Sequence, residues 1–121
     1  MPICIGVRTF AGVGMFLVLA STAKADQDFG SGNFMLPHCQ HFMTDNYRFD
    51  VWDGDCGGTI ETLLFLGRAL PDSYKVCRPK GATASQAGRI VVNYMQSHPQ
   101  DLHQPFRGLA MTALHEAWPC N

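Results

Sequence analysis

The chain has 121 residues, nine basic and ten acidic side chains, and a formal charge of −1. That length allows one domain. Nothing in this near-neutral balance points to nucleic acid, which would call for a face of clustered lysine and arginine to hold phosphates.

Residues 1–25 read as a secretory signal peptide. Arg8 is the positive element, Phe10 to Ala20 the apolar run and Ala23-Lys24-Ala25 the A-x-A cleavage site. The run is short and contains glycine, which suits cleavage better than a membrane span. We therefore expect a single exported domain over residues 26–121, with no membrane attachment once the signal is removed. Cleavage takes Arg8 and Lys24 and none of the acidic residues, so the remainder is mildly acidic. It keeps Cys39, Cys56, Cys77 and Cys120. An even count in a small exported chain reads as two disulfides.

Asp26 to Asn33 is polar and glycine-rich and reads as a loose leader. Phe34, Met35, His38, Cys39, Phe42 and Met43 then recur at helical spacing. Asn33 is available as a cap, and Pro37 is expected to delay the helix start towards its own position. Thr44 to Phe49 reads as a turn. A second helix follows from about Asp50 to about Arg68, with Trp52, Cys56, Thr59, Ile60, Leu63 and Leu64 as its apolar stripe and Asp53 and Glu61 off it. Gly57-Gly58 costs about 1 kcal/mol per glycine relative to alanine. Close approach of a neighbouring helix would compensate; a break after Gly54 with a restart at Cys56 is the competing reading. Residues 69–82, with two prolines and a glycine, read as a loop crossing between hairpins.

Thr83 precedes Gln86 by three residues, a capping box that opens a third helix. Ile90, Val91, Tyr94 and Met95 give its apolar face, and Ser97 to Asp101 is a polar turn. Pro105 has a φ suited to the first turn of a fourth helix. Phe106, Leu109, Ala110, Ala113, Leu114 and Ala117 make one stripe along it. A short link makes these two helices antiparallel, so Cys77 and Cys120 meet at one end. Cys39 and Cys56 stand at similar heights in the first pair. Of the three possible connectivities, Cys39–Cys56 with Cys77–Cys120 is the preferred one. The expected fold is all-α: a small four-helix domain of two antiparallel hairpins with two disulfides.

Chemistry is sparse. His38-Cys39-x-His41 offers soft ligands, but neighbouring helix positions point about 100° apart and an oxidised cysteine cannot ligate. His115-Glu116 lacks the second histidine of a zinc-protease helix. Asp50, Asp53 and Asp55 miss the calcium-loop pattern and read as solvated carboxylates at a helix start. There is no G-x-S-x-G elbow and no phosphate loop. No catalytic group, metal or cofactor is expected.

The C-terminal third carries a family likeness. Cys77-x-Pro79-x-Gly81-x-Thr83-x-x-Gln86, Val91-Val92-x-Tyr94, His98-Pro99-x-x-Leu102-His103-x-Pro105, then Leu109, Leu114, Ala117 and Pro119-Cys120 resemble the Rap/Tai family. Cys39 and Cys56-x-Gly58 extend the likeness, although Thr59 stands where the family usually has an aromatic residue. The resemblance implies an all-helical periplasmic immunity protein, commonly a homodimer, that occupies the cleft of a peptidoglycan amidase toxin delivered by type VI secretion. It brings no catalytic residues. Immunity pairs must differ in their contacts, so Pro99, Pro105 and the cysteines are read as structural. The expected contact surface is the exposed turn between the last helices, His98, Gln100, Asp101 and His103; the bland alternative is that this turn only joins them. A periplasmic stress or holdase-type helical protein is the second functional reading.

Overall fold

Four α-helices account for the fold: α1 Gly32–Phe42, α2 Val51–Leu66, α3 Ala84–Ser97 and α4 Phe106–Ala117, with no strand among the described residues. The structure is a computed structural model that describes residues 27–44 and 50–121. The signal-peptide reading of residues 1–25 and nearly all of the expected first turn lie outside them.

Each helix starts where a side chain or a neighbouring segment satisfies its free backbone N–H groups. In α1 the cap is Ser31, whose Oγ accepts from the Phe34 N–H at 3.2 Å, in place of Asn33. Pro37 lies inside this helix and does not delay it. The first turn is held from outside instead. The Gly32 N–H donates to the Gln104 carbonyl at 3.0 Å and the Asn33 N–H to the Leu102 carbonyl at 2.7 Å. The Phe106 N–H donates back to the Gly30 carbonyl at 2.7 Å. Residues 30–33 are thus stitched to the α3–α4 turn, and the loose-leader reading fails there. Backbone groups near the protein interior must find partners, and here they find them across the molecule.

Asp50 caps α2, accepting from the Trp52 and Asp53 N–H groups at 2.8 and 2.9 Å. The helix runs unbroken through Gly57-Gly58, which rules out the restart at Cys56. A Cβ on Gly57 would lie 2.6 Å from the Phe42 ring of α1, so one glycine does provide the close approach. Gly58 has nothing within 4 Å of that position. Thr83 and Gln86 form the expected capping box on α3. Pro105 sits one residue before α4, at the cap position, and Phe106 is its first helical residue.

α1 packs against α2 and α3 against α4, and α3 also lies across the first pair. The core is Met35, Cys39, Cys56, Ile60, Val91, Met95, Phe106, Ala110 and Leu114 with their neighbours, drawn from all four helices. The α4 stripe is buried as expected through Leu114, but Ala117 is exposed because the helix end runs out past the core.

Both expected disulfides are present. Cys39–Cys56, 17 residues apart in sequence, joins α1 to α2 inside the core. Cys77–Cys120, 43 residues apart, ties the segment before α3 to the tail after α4. Two bonds reinforce that end: the Cys77 N–H donates to the Trp118 carbonyl at 2.8 Å, and the His115 Nδ1–H to the Lys75 carbonyl at 2.7 Å.

Candidate functional site

The turn expected to carry recognition is a short 3-10 helix, Pro99–Asp101, between α3 and α4. The fold brings the four named residues together there. Gln100 and His103 are exposed, while His98 and Asp101 are half-buried. Hydrogen bonds fix the shape of the segment from within. The His98 Nδ1–H donates to the Tyr94 carbonyl at 2.8 Å, and its ring stacks on Tyr94 with centroids 4.1 Å apart. The His103 Nδ1–H donates to the Gln100 carbonyl at 3.0 Å. The Gln104 side-chain amide donates to Asp101 Oδ1 at 3.0 Å, and the Asp101 N–H donates to the His98 carbonyl at 3.0 Å. Burial, with the charges of Glu116 and Asp101, raises the Tyr94 hydroxyl above its ordinary pKa. The turn is therefore a surface whose shape is set before anything binds it, which reduces the entropy lost on association.

A second group was not anticipated. Asp53, read from the sequence as a solvated carboxylate off the apolar stripe, has a fully buried side chain. α1 supplies its partners. The His38 Nδ1–H donates to Asp53 Oδ1 at 3.0 Å, and the His41 Nδ1–H donates to Asp53 Oδ2 at 2.6 Å. Asp50 Oδ2 lies 3.4 Å from His38 Nδ1. Burial alone would push the Asp53 carboxyl up. Hydrogen bonds from His38, His41 and the Asp50 N–H, together with the His41 charge, outweigh it and hold the carboxyl below its ordinary value. A buried charge is tolerated because each oxygen has a donor.

The sequence held a signal for this group. His38 and His41 are three apart and so share a face of α1. Asp53 is one turn ahead of Cys56, and His38 is next to Cys39, so the Cys39–Cys56 bridge draws the histidines and the aspartate together. Adjacent positions such as His38 and Cys39 diverge, whereas His38 and His41 stand one turn apart and converge on Asp53.

A third feature is a groove of about 550 Å³ between α2 and α4, lined by Gly58, Thr62, Leu66, Leu70, Arg107 and Met111. Arg107 on α4 meets Asp55 on α2 at 3.0 Å at its edge.

The four cysteines of the described residues are all oxidised and so offer no thiol nucleophile. Compared with known proteins, residues 31–120 match the family model described as Rap1a immunity proteins. No curated protein and no solved structure matches the chain.

Proposed function

Because the chain belongs to the family of Rap1a immunity proteins, we propose that it neutralises a peptidoglycan amidase toxin delivered by type VI secretion, acting in the periplasm by occupying the toxin's cleft. The family match over residues 31–120 carries this reading. The presence of two disulfides supports an oxidising compartment, where such bridges persist. In this reading the protein is a shape and not a catalyst.

We assign the toxin contact to the Pro99–Asp101 turn, through His98, Gln100, Asp101 and His103. Its internal hydrogen bonds leave Gln100 and His103 free to face a partner, and a preset projection suits insertion into an enzyme cleft. Pairing of two copies belongs to the same proposal. Val51 and Phe65, 75% and 88% exposed, are fourteen residues apart on α2 and so lie near one face.

The test is co-purification with candidate periplasmic amidases, followed by a peptidoglycan hydrolysis assay. Stoichiometric inhibition is expected. The double variant Gln100→Ala/His103→Ala should weaken inhibition about tenfold or more, equivalent to about 1.4 kcal/mol. Undiminished inhibition by that variant would move the contact surface elsewhere. Failure to bind any cell-wall amidase would remove the assignment itself.

A further inference from the structure

The His38–Asp50–Asp53 cluster has the makings of a ligand site rather than only a buried ion pair. We propose that His38 Nδ1, Asp50 Oδ2 and Asp53 Oδ1 bind one divalent transition-metal ion, with Zn²⁺ as the best match; the ion replaces the Nδ1 proton of the hydrogen bond to Asp53, and His38 carries its proton on Nε2 in the bound form.

The geometry is close to what such an ion needs. His38 Nδ1 lies 3.0 Å from Asp53 Oδ1 and 3.4 Å from Asp50 Oδ2. The three donor atoms all lie within 4.8 Å of one another. Tetrahedral zinc with bonds of about 2.0–2.1 Å holds its ligand atoms about 3.3–3.5 Å apart. Two of the separations are already within about half an ångström of that edge, and the third is no more than 4.8 Å.

The remaining lone pairs are committed in a way that leaves these three atoms converging. Asp50 caps α2 through Oδ1, which leaves Oδ2 for the cluster. Asp53 gives Oδ2 to His41 and turns Oδ1 towards His38. His41 then stands behind a ligating carboxylate as a hydrogen-bonding support of the kind that orients metal ligands. The backbone holding the donors is also fixed. Cys39 follows His38 and Cys56 lies one turn after Asp53, so their disulfide clamps α1 to α2 beside the site.

Charge favours the same conclusion. Two carboxylates face the site, one of them fully buried, and one divalent cation offsets their charge. Phe34 packs on the His38 ring at 4.9 Å, and Phe29 and Trp52 stack beside Phe34, so one side of the cluster is walled by aromatic rings. An apolar wall strengthens electrostatic binding by limiting water. The donor set selects among ions: imidazole nitrogen suits Zn²⁺, Cu²⁺ or Ni²⁺, whereas Ca²⁺ and Mg²⁺ prefer oxygen alone. Three protein ligands leave a fourth position to water, as in exchangeable sites.

The experiment uses the untagged protein with both disulfides intact, stripped with chelator and titrated with ZnCl₂ by calorimetry, with bound metal counted after dialysis. One equivalent per chain is expected, with Mg²⁺ in excess failing to displace it. His38→Gln retains a donor for Asp53, and Asp50→Ser retains a helix cap, so both should fold while removing one ligand. Each should weaken Zn²⁺ binding about tenfold or more, whereas His103→Gln, which removes none of the three ligands, should leave it unchanged. Absence of saturable binding in the unaltered protein overturns the proposal and leaves the histidines as hydrogen-bond donors only. Equal binding by the unaltered protein and both ligand variants, once circular dichroism shows them folded, also overturns it.

Discussion

A charged carboxylate shut off from water costs several kcal/mol of lost hydration unless each oxygen is paired. Asp53 meets that condition with two imidazoles, a backbone N–H and a helix start. Asp53→Asn keeps the shape, halves the acceptor capacity and presents an amide N–H to one histidine. We expect it to lose about 1–3 kcal/mol in urea unfolding, with no change in the disulfides. The pH dependence follows from the lowered carboxyl. A depressed folded pKa means that the unfolded chain takes up the proton first as acid is added. The stabilisation is then fully present above the ordinary value of 3.8 and is lost as pH falls through the lower, folded value. Thermal melts from neutral pH down to strong acid should show a steeper acid limb in the natural protein than in Asp53→Asn. Parallel limbs would mean that Asp53 is not held as an ion. Burial of this residue was legible only through a pairing of cysteines. An aspartate near a helix start is usually solvated, and composition gives no hint of which one is covered.

The two adjacent glycines of α2 separate packing from propensity. At Gly57 a methyl group meets the Phe42 ring at 2.6 Å, so Gly57→Ala must push α1 away or turn the ring. We expect a loss of about 1–3 kcal/mol. At Gly58 the same methyl group enters open space, and Gly58→Ala should gain up to about 1 kcal/mol from helix propensity. Chemical denaturation of the two variants side by side checks the contrast, and opposite signs are the expected outcome. The periods of α3 and α4 and the Thr83–Gln86 cap were readable from the chain because local chemistry decides them. Where α1 begins was not, because its first turn is completed by carbonyls of Leu102 and Gln104, about seventy residues away in sequence. Pro37 misled for the same reason: the helix start is held by tertiary bonds, so one missing N–H farther along does not decide it. Of the candidate site, the turn residues were legible as a polar, proline-marked link, while their mutual hydrogen bonds depend on how α3 and α4 happen to end.

At the level of the molecule, the two bridges test how a small core is stabilised. Leu114 is fully buried, and Leu114→Ala should cost about 2–5 kcal/mol. If loop entropy governs the disulfides, removing Cys77–Cys120, which closes 43 residues, should cost about 1 kcal/mol more than removing Cys39–Cys56, which closes 17. Paired Cys→Ala variants, melted without reductant, give both values. A larger loss from the shorter bridge would show that its burial between α1 and α2 matters more than chain entropy.

The stitching of residues 30–33 to the α3–α4 turn has a practical corollary. Residue 27 stands three residues ahead of Gly30, whose carbonyl accepts from Phe106 at the start of α4, whereas Asn121 follows the other end of that helix, about 18 Å away for twelve helical residues. A bulky tag on the first end would therefore stand near the turn proposed to meet a toxin and would interfere with a capture experiment that tests it. Bait built for that purpose should carry its handle after Asn121.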